Sequence, residues 1–414
     1  MKSASKPINC CQICNSNKLE SILFVGYMPP VNTMPSIGSM PVEEPSYPLE
    51  LLRCNHCGLV QIGFEVAPDL LFPESYPYLS GTTKILKENF ADLFEETNNL
   101  IDLDSQKMVV DIGSNDGTLL FNFSSKGFRV LGIEPSQAAD VANKKGIKTL
   151  KTYFNLKIAK NVRLKYGKAQ LISAANVFAH IGDIHSVVDG VVELLDDKGV
   201  FVTESHYLMD LVNTIQYDTI YHEHLRYYSL RSLMYLFSAH ELEVFHVKLI
   251  PTHGGSIRVF AGRKGQHEIS RSVDKQLFAE DTAGLTDGSL LHNFRHNVIN
   301  SRNNLNKLIA RIKKTDARIF GVGAPSRAST FINYCGIDDG VLEAIMEVPN
   351  SHKLNKYMPG TRIPVLDEKL IYEEQPDYAL ILSWHITDEL VKNLKNNGYR
   401  GKFIIPLPEA RIID

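Results

Sequence analysis

The chain has 414 residues, 44% of them hydrophobic and 22% charged, with a formal net charge of -3. That length suits two or three domains with ordinary cores, and the near-balanced charge gives no general attraction to nucleic acid or to an acidic membrane surface. No apolar run approaches the ~20 residues that span a bilayer, and the opening "MKSASKPINCCQICNSNK" lacks a signal-peptide core, so a cytoplasmic protein with reduced thiols and no membrane partner is expected.

Residues 1–75 are rich in Cys, Pro and Gly, and five of the six cysteines fall here. "CQIC" and "CNHC" are two Cys-x-x-Cys knuckles. In a reducing compartment, paired thiolates at this spacing point to tetrahedral zinc rather than to disulfides. The expected ligands are Cys11, Cys14, Cys54 and Cys57, with Cys10 and His56 as substitutes. A closed four-thiolate site holds a fold together and does no chemistry of its own.

Residues 76–265 alternate short apolar runs with amphipathic stretches. "MVVDIG", "RVLGIEP", "AQLISAANVF" and "GVFVTES" read as buried parallel strands, and "GDIHSVVDGVVELLDD" as a helix between them. "LEVFHVKLIP" and "SIRVFAGR", joined by "THGG", read as an antiparallel hairpin that closes the sheet. Residues 266–414 begin with a polar helical stretch that includes "NVINSRNNLNKLIARIKK". A second α/β pattern follows, with strands at "ARIFGVG", "VLEAIMEV", "YALILSW" and "KFIIPLP".

The first of these strands runs into "VVDIGSNDGTLL", which holds Asp111, Gly113, Asn115 and Gly117. Glycines there let the backbone approach a ligand and turn into the next helix. Glu134, at the end of the following strand, is placed to accept hydrogen bonds from ribose hydroxyls. Together they indicate a nucleoside cofactor. In "SAANVFAHI", Asn176 and His180 fall at the carboxyl end of another strand, on the ligand-binding edge of such a sheet.

"YDTIYHEHLRYYSL" sets a phenol, two imidazoles and a carboxylate side by side. An extended conformation would pair Tyr221 with Glu223 on one face and His222 with His224 on the other, whereas in a helix only part of the group could converge. The H-E-x-x-H zinc spacing is absent, which favours acid/base chemistry with a tuned imidazole over metal binding. The plainer alternative is a solvated loop with Tyr227 and Tyr228 as packing anchors. Downstream, His253, Gly254, Gly255 and Ser256 either admit a ligand close to the backbone or only turn the hairpin. "GVGAPSRAST" follows a strand and opens a helix, with Ser326 at the third glycine position of a dinucleotide signature. Glu347 ends the next strand at the distance of a ribose-binding acid, which keeps an NAD-dependent oxidoreductase as the second reading. Lys353, Lys356 and Arg362 either face phosphates or are solvated.

The glycine segment resembles motif I of class I S-adenosylmethionine-dependent methyltransferases more than a dinucleotide fingerprint. The whole series, from both cysteine knuckles through "YDTIYHEHLRYYSL", "THGGSIRVF" and "GAPSRASTFINYCGI" to "PLPEARI", resembles the sugar C-methyltransferases that make branched deoxysugars on nucleotide carriers. That resemblance implies an α/β protein with three parts. A zinc-binding domain (1–75) would precede a class I methyltransferase Rossmann-like domain (76–265) and a C-terminal Rossmann-like domain (266–414) that helps to bind a nucleotide-linked 4-keto-deoxysugar. It implies S-adenosylmethionine as methyl donor and structural zinc. It also implies site roles for Tyr221, Glu223, His224 and His180, and for a tyrosine that is either Tyr76 or Tyr78. His224 would be the base that removes a proton next to the carbonyl. Where the family commonly reads Gly-Ala-Pro-Ala-Lys-Gly-Asn-Thr, this chain reads "GAPSRAST". Arg327 then takes over a cationic role, and the difference bears on which sugar or nucleotide is bound.

Overall fold

A computed structural model describes residues 4–72, 81 and 84–414. Near the N-terminus, strands Leu19–Met28, Tyr47–Cys54 and Val60–Ile62 form an antiparallel sheet. Its fourth strand comes from far along the chain: Arg226–Tyr227 pairs with Val60–Ile62. The segment straight after His224 is thereby fastened to the cysteine-bearing part of the molecule.

The next sheet has seven strands. From one edge they run Leu242–Ile250, Ser256–Arg263, Leu195–His206, Ala169–Ala175, Met108–Ile112, Arg129–Ile133 and Thr149–Leu150. All run in the same direction except Ser256–Arg263, which is antiparallel to both of its neighbours. Every residue of Met108–Ile112 is buried, because layers cover both faces of a central parallel strand and leave no solvent side for alternation. Helix Ile184–Leu194 starts where Asp183 accepts the Ser186 amide, and it buries Ile184, Val187, Val188, Val191 and Leu194 at helical spacing. Each such side chain is worth roughly 1.5–3 kcal/mol over exposure. In chain order the first strand lies beside the second on one side and the fourth on the other. This switch in direction opens a crevice at the strands' carboxyl ends.

A 24-residue helix, Ser289–Ile312, leads to the C-terminal sheet. Five parallel strands form its centre, in the order Pro364–Asp367, Ala344–Glu347, Ile319–Val322, Tyr378–Ile381 and Lys402–Ile405. Lys356–Tyr357 and Arg411–Ile413 add antiparallel edges. "NSHKLNKYMPGTRIPV" is thus partly strand: Lys356 lies in the edge pairing, and the Arg362 guanidinium stacks 4.8 Å from the Tyr357 ring. Among the described residues no helix is long and apolar enough to cross a membrane.

Candidate active site

One cavity of about 1800 Å³ opens at the carboxyl ends of the central strands. The donor-type loop, the Tyr-His-Glu-His turn, the N-terminal helix Pro68–Leu71 with Phe72, and the start of the helix at Ser326 all contribute to its wall.

On the donor side, Gly113 and Gly117 take positive φ of 69° and 79°, and Asn115 joins them at 49°. A Cβ at Gly113 would meet the Val177 side chain at 2.3 Å, so only glycine lets the loop fold this tightly. Glu134 braces the loop, with one carboxylate oxygen accepting the Asn115 amide at 3.0 Å and the other the Ser136 amide at 2.9 Å. Each oxygen keeps a second lone pair for hydroxyl donors. Gly113, Asn115, Glu134 and Asn176 line the cavity. Asp111 lies beneath it, accepting the Ser173 hydroxyl at 2.7 Å, and burial pushes its carboxyl up to about 7. Gly117 turns the chain into helix Thr118–Ser124. A glycine-formed wall beside an acid with unspent lone pairs fits the adenosine and ribose of S-adenosylmethionine.

The Tyr-His-Glu-His stretch is neither strand nor helix. A turn closed by the His224 amide on the Tyr221 carbonyl (2.9 Å) brings those two rings together, with centroids 4.1 Å apart and planes at 33°. His222 instead turns its Nε2 to the Pro48 carbonyl at 3.3 Å, and Glu223 accepts the Asn32 amide at 2.6 Å. Neither the extended nor the helical arrangement applies, because an i to i+3 turn sets the side-chain directions. The solvated-loop alternative fails as well: His222, Glu223 and His224 are only 1%, 3% and 9% exposed. Tyr227 and Tyr228 are buried anchors, as that alternative had supposed.

His224 Nδ1 lies 2.9 Å from the Thr219 carbonyl, and His180 Nδ1 lies 2.8 Å from the Glu223 carbonyl. A carbonyl can only accept, so in both rings Nδ1 carries the hydrogen and Nε2 keeps a lone pair. Burial pushes His180 down to about 4, against its hydrogen bond to Glu223. Burial, then the neighbouring His180 ring, holds His224 well below the usual imidazole range. Both are therefore neutral near neutral pH. Their centroids are 4.9 Å apart, and Phe72 packs edge-on against His180 at 6.0 Å. Tyr76 and Tyr78 lie outside the described residues.

His253 reaches the cavity from a left-handed backbone conformation (φ 57°), while Gly254, Gly255 and Ser256 build the turn behind it. Ser256 donates to the Thr252 carbonyl at 2.9 Å, and the Gly255 carbonyl accepts the Tyr207 amide at 3.1 Å. Arg327 lines the cavity but is largely committed. Its Nε and Nη2 bind both oxygens of buried Asp218 at 2.7 and 2.8 Å, and its guanidinium lies over Trp384. Lys353 donates to the Ala324 carbonyl at 2.5 Å and so supports the second glycine loop from below. Glu347 accepts the Ala324 and Val348 amides, and Ser326 donates to Asn32. Glu347 thus braces its loop as Glu134 braces the first, but it does not line the cavity, and an NAD site there is not supported. Sequence reading missed His206 and Asn32. The first stands at a strand's carboxyl end, the rule that singled out Asn176; for the second, no local signal exists.

Cys11, Cys14, Cys54 and Cys57 bring their sulfurs within 4.8 Å of one another, a spacing that fits four thiolates around one zinc. Cys10 is exposed and outside this group, and His56 pairs with the Tyr235 hydroxyl at 3.1 Å. The knuckle is docked on the central domain by His185 Nε2, which donates to the Ile13 carbonyl at 2.9 Å.

Strand order, glycine loop and bracing acid define a class I S-adenosylmethionine-dependent methyltransferase. Three family profiles cover most of the chain: a putative zinc binding domain over residues 11–72, a methyltransferase domain over 85–247, and a C-methyltransferase C-terminal domain over 251–408. The C-methyltransferase NovU of Streptomyces niveus is 31% identical over 418 residues, spanning 100% of this chain and 99% of that protein. The chain belongs to the C-methyltransferase family, as its motifs imply. Two similar solved structures each match less than half of the chain. The PH0226 protein of Pyrococcus horikoshii is 12% identical, covering 47% of this chain and 98% of its own at a TM-score of 0.37. Magnesium protoporphyrin IX methyltransferase of Synechocystis, with bound SAM, is 13% identical, covering 43% and 78% at 0.32.

Proposed function

We propose that the protein methylates the carbon next to the carbonyl of a nucleotide-linked 4-keto-deoxysugar, with His224 as base, in the cytoplasmic synthesis of branched sugars. The observation that carries this reading is the His224 hydrogen bond to the Thr219 carbonyl, which fixes Nε2 as a lone-pair nitrogen in a cavity shared with the donor loop. S-adenosylmethionine, when bound, supplies an electrophilic methyl group on a sulfonium. A heteroatom acceptor is already nucleophilic, whereas a carbon acid needs a positioned base. The cavity's ~1800 Å³ exceeds the ~300–1,000 Å³ of a single drug-sized ligand and leaves room for donor and nucleotide sugar together.

In this reading Gly113, Asn115, Glu134 and Asn176 hold the donor's adenosine. Tyr221 keeps the His224 ring in place by stacking, and Glu223 orients His180 through its backbone carbonyl. Arg327, His253 and the Ser326 loop face the acceptor from the C-terminal side. Four cysteines close the zinc site and leave no open position for substrate, so its part is to hold the N-terminal sheet. His224→Asn should lower methyl transfer by at least ~10²-fold, the scale of a lost general base, with calorimetric donor affinity unchanged. Full turnover in that variant would remove His224 from the chemistry.

A further inference from the structure

Deprotonating a carbon beside a carbonyl needs two groups together: a base for the proton, and a hydrogen-bond donor for the oxygen on which charge develops. His180 and His224 both spend their Nδ1 hydrogens on backbone carbonyls, so neither can donate without becoming a cation. Arg327 gives Nε and Nη2 to Asp218 and Gln216. Tyr221 has its ring against that of the base itself. His206 and His253 differ from these, and of the two His206 has its ring against that of His224. It ends strand Leu195–His206, lines the cavity, and has no hydrogen-bond partner for either ring nitrogen among the described residues. Its centroid is 5.4 Å from that of His224, with the planes at 71°, and 5.5 Å from that of His253.

Resting on the carbonyl-acceptor reading above, we propose that His206 is a further catalytic residue, a neutral imidazole whose N–H binds the acceptor's carbonyl oxygen. As His224 Nε2 takes the proton, the C–H electron pair forms the C=C bond and the carbonyl π pair moves onto the oxygen held by His206. The oxygen pair then re-forms the carbonyl, the carbon bonds to the methyl group, and the C–S pair returns to sulfur. The His224 proton leaves to solvent after product release. Burial and the neighbouring His224, His253 and Arg327 keep the His206 ring from protonating, so the donor is a neutral imidazole. A neutral imidazole polarises a carbonyl without giving up its proton.

Two variants separate a donor from a space-filler. His206→Leu keeps bulk without an N–H, and His206→Gln restores one. With S-adenosylhomocysteine bound, deuterium exchange at the acceptor's acidic carbon reads enolate formation apart from methyl transfer. The leucine variant should lose exchange and transfer by ~10²–10³-fold, with the glutamine variant recovering about tenfold and donor affinity unchanged in both. Exchange within about threefold of wild type in the leucine variant overturns the proposal. Equal losses in the two variants, or weakened donor binding, would overturn it too, because shape rather than an N–H would then matter. If wild-type protein exchanges no proton on any bound carbonyl acceptor, the reading beneath falls, and this one with it.

Discussion

The two glycine loops use the same device to different ends. In the central domain Gly113 donates to the Ile133 carbonyl at 2.8 Å, and Glu134 accepts a loop amide. In the C-terminal domain Gly323 donates to the Met346 carbonyl, also at 2.8 Å, and Glu347 accepts the Ala324 amide at 2.7 Å. Beyond that the loops part. Glu134 lines the cavity, whereas Glu347 does not, and its loop is further pinned by Lys353, by Ser326 on Asn32 and by Arg327 on Asp218. A strand–loop–helix turn with a bracing acid is therefore a ready ligand cradle only where its remaining polar groups stay uncommitted. Where neighbours take them, the same turn becomes a wall.

The largest effect that tests this contrast is at the C-terminal anchor. Arg327→Met leaves the Asp218 carboxylate buried, with only the Trp384 indole (2.8 Å) still donating to it among the described residues. Unfolding by urea should register a loss of about 3–5 kcal/mol, the usual result of breaking a buried pair from one side. Next come the two bracing acids. Glu134→Gln should weaken S-adenosylmethionine binding by ~10-fold or more, since it removes the charge of a carboxylate that lines the cavity and is proposed to hold the donor. Glu347→Gln should leave donor affinity within about twofold while costing roughly 1–2 kcal/mol of stability. Equal donor affinities in the pair would erase the distinction between cradle and wall.

A smaller effect belongs to the wall between the loops. His180, His222 and His253 are each held at about 4 in the folded protein, chiefly by burial. Between that value and the ordinary ~6.5 the unfolded chain binds more protons than the native one, so stability rises with pH across this window and is lost as pH falls through it. Denaturation midpoints at pH 7 and pH 5 should show the decline. Replacing His222, which hydrogen-bonds to the N-terminal sheet, by Gln should make the decline shallower without moving the pH profile of methyl transfer.

What could be read in advance was local. Cysteine knuckles, glycine spacing and an acid at the next strand end each follow from a few neighbouring positions, and so does the parallel sheet from its apolar runs. The Tyr-His-Glu-His segment was recognisable as unusual but not as a turn, because its conformation depends on Arg226–Tyr227 joining a sheet built from residues far earlier in the chain. Asn32 shows the same limit. It bridges Glu223 and Ser326, and nothing within "PPVNTMP" announces partners 191 and 294 positions away. The exchange of Arg and Ser into "GAPSRAST" likewise gains its sense only from Asp218 and Asn32, which receive them.

Incubation of the purified protein with methyl-labelled S-adenosylmethionine and a panel of 4-keto-6-deoxy nucleotide sugars, followed by mass spectrometry and NMR of the product, tests the central claim most directly. The account predicts one labelled methyl group on a carbon next to the carbonyl, lost in His224→Asn. Label on oxygen or nitrogen, or no transfer to any sugar shown to bind, would contradict it.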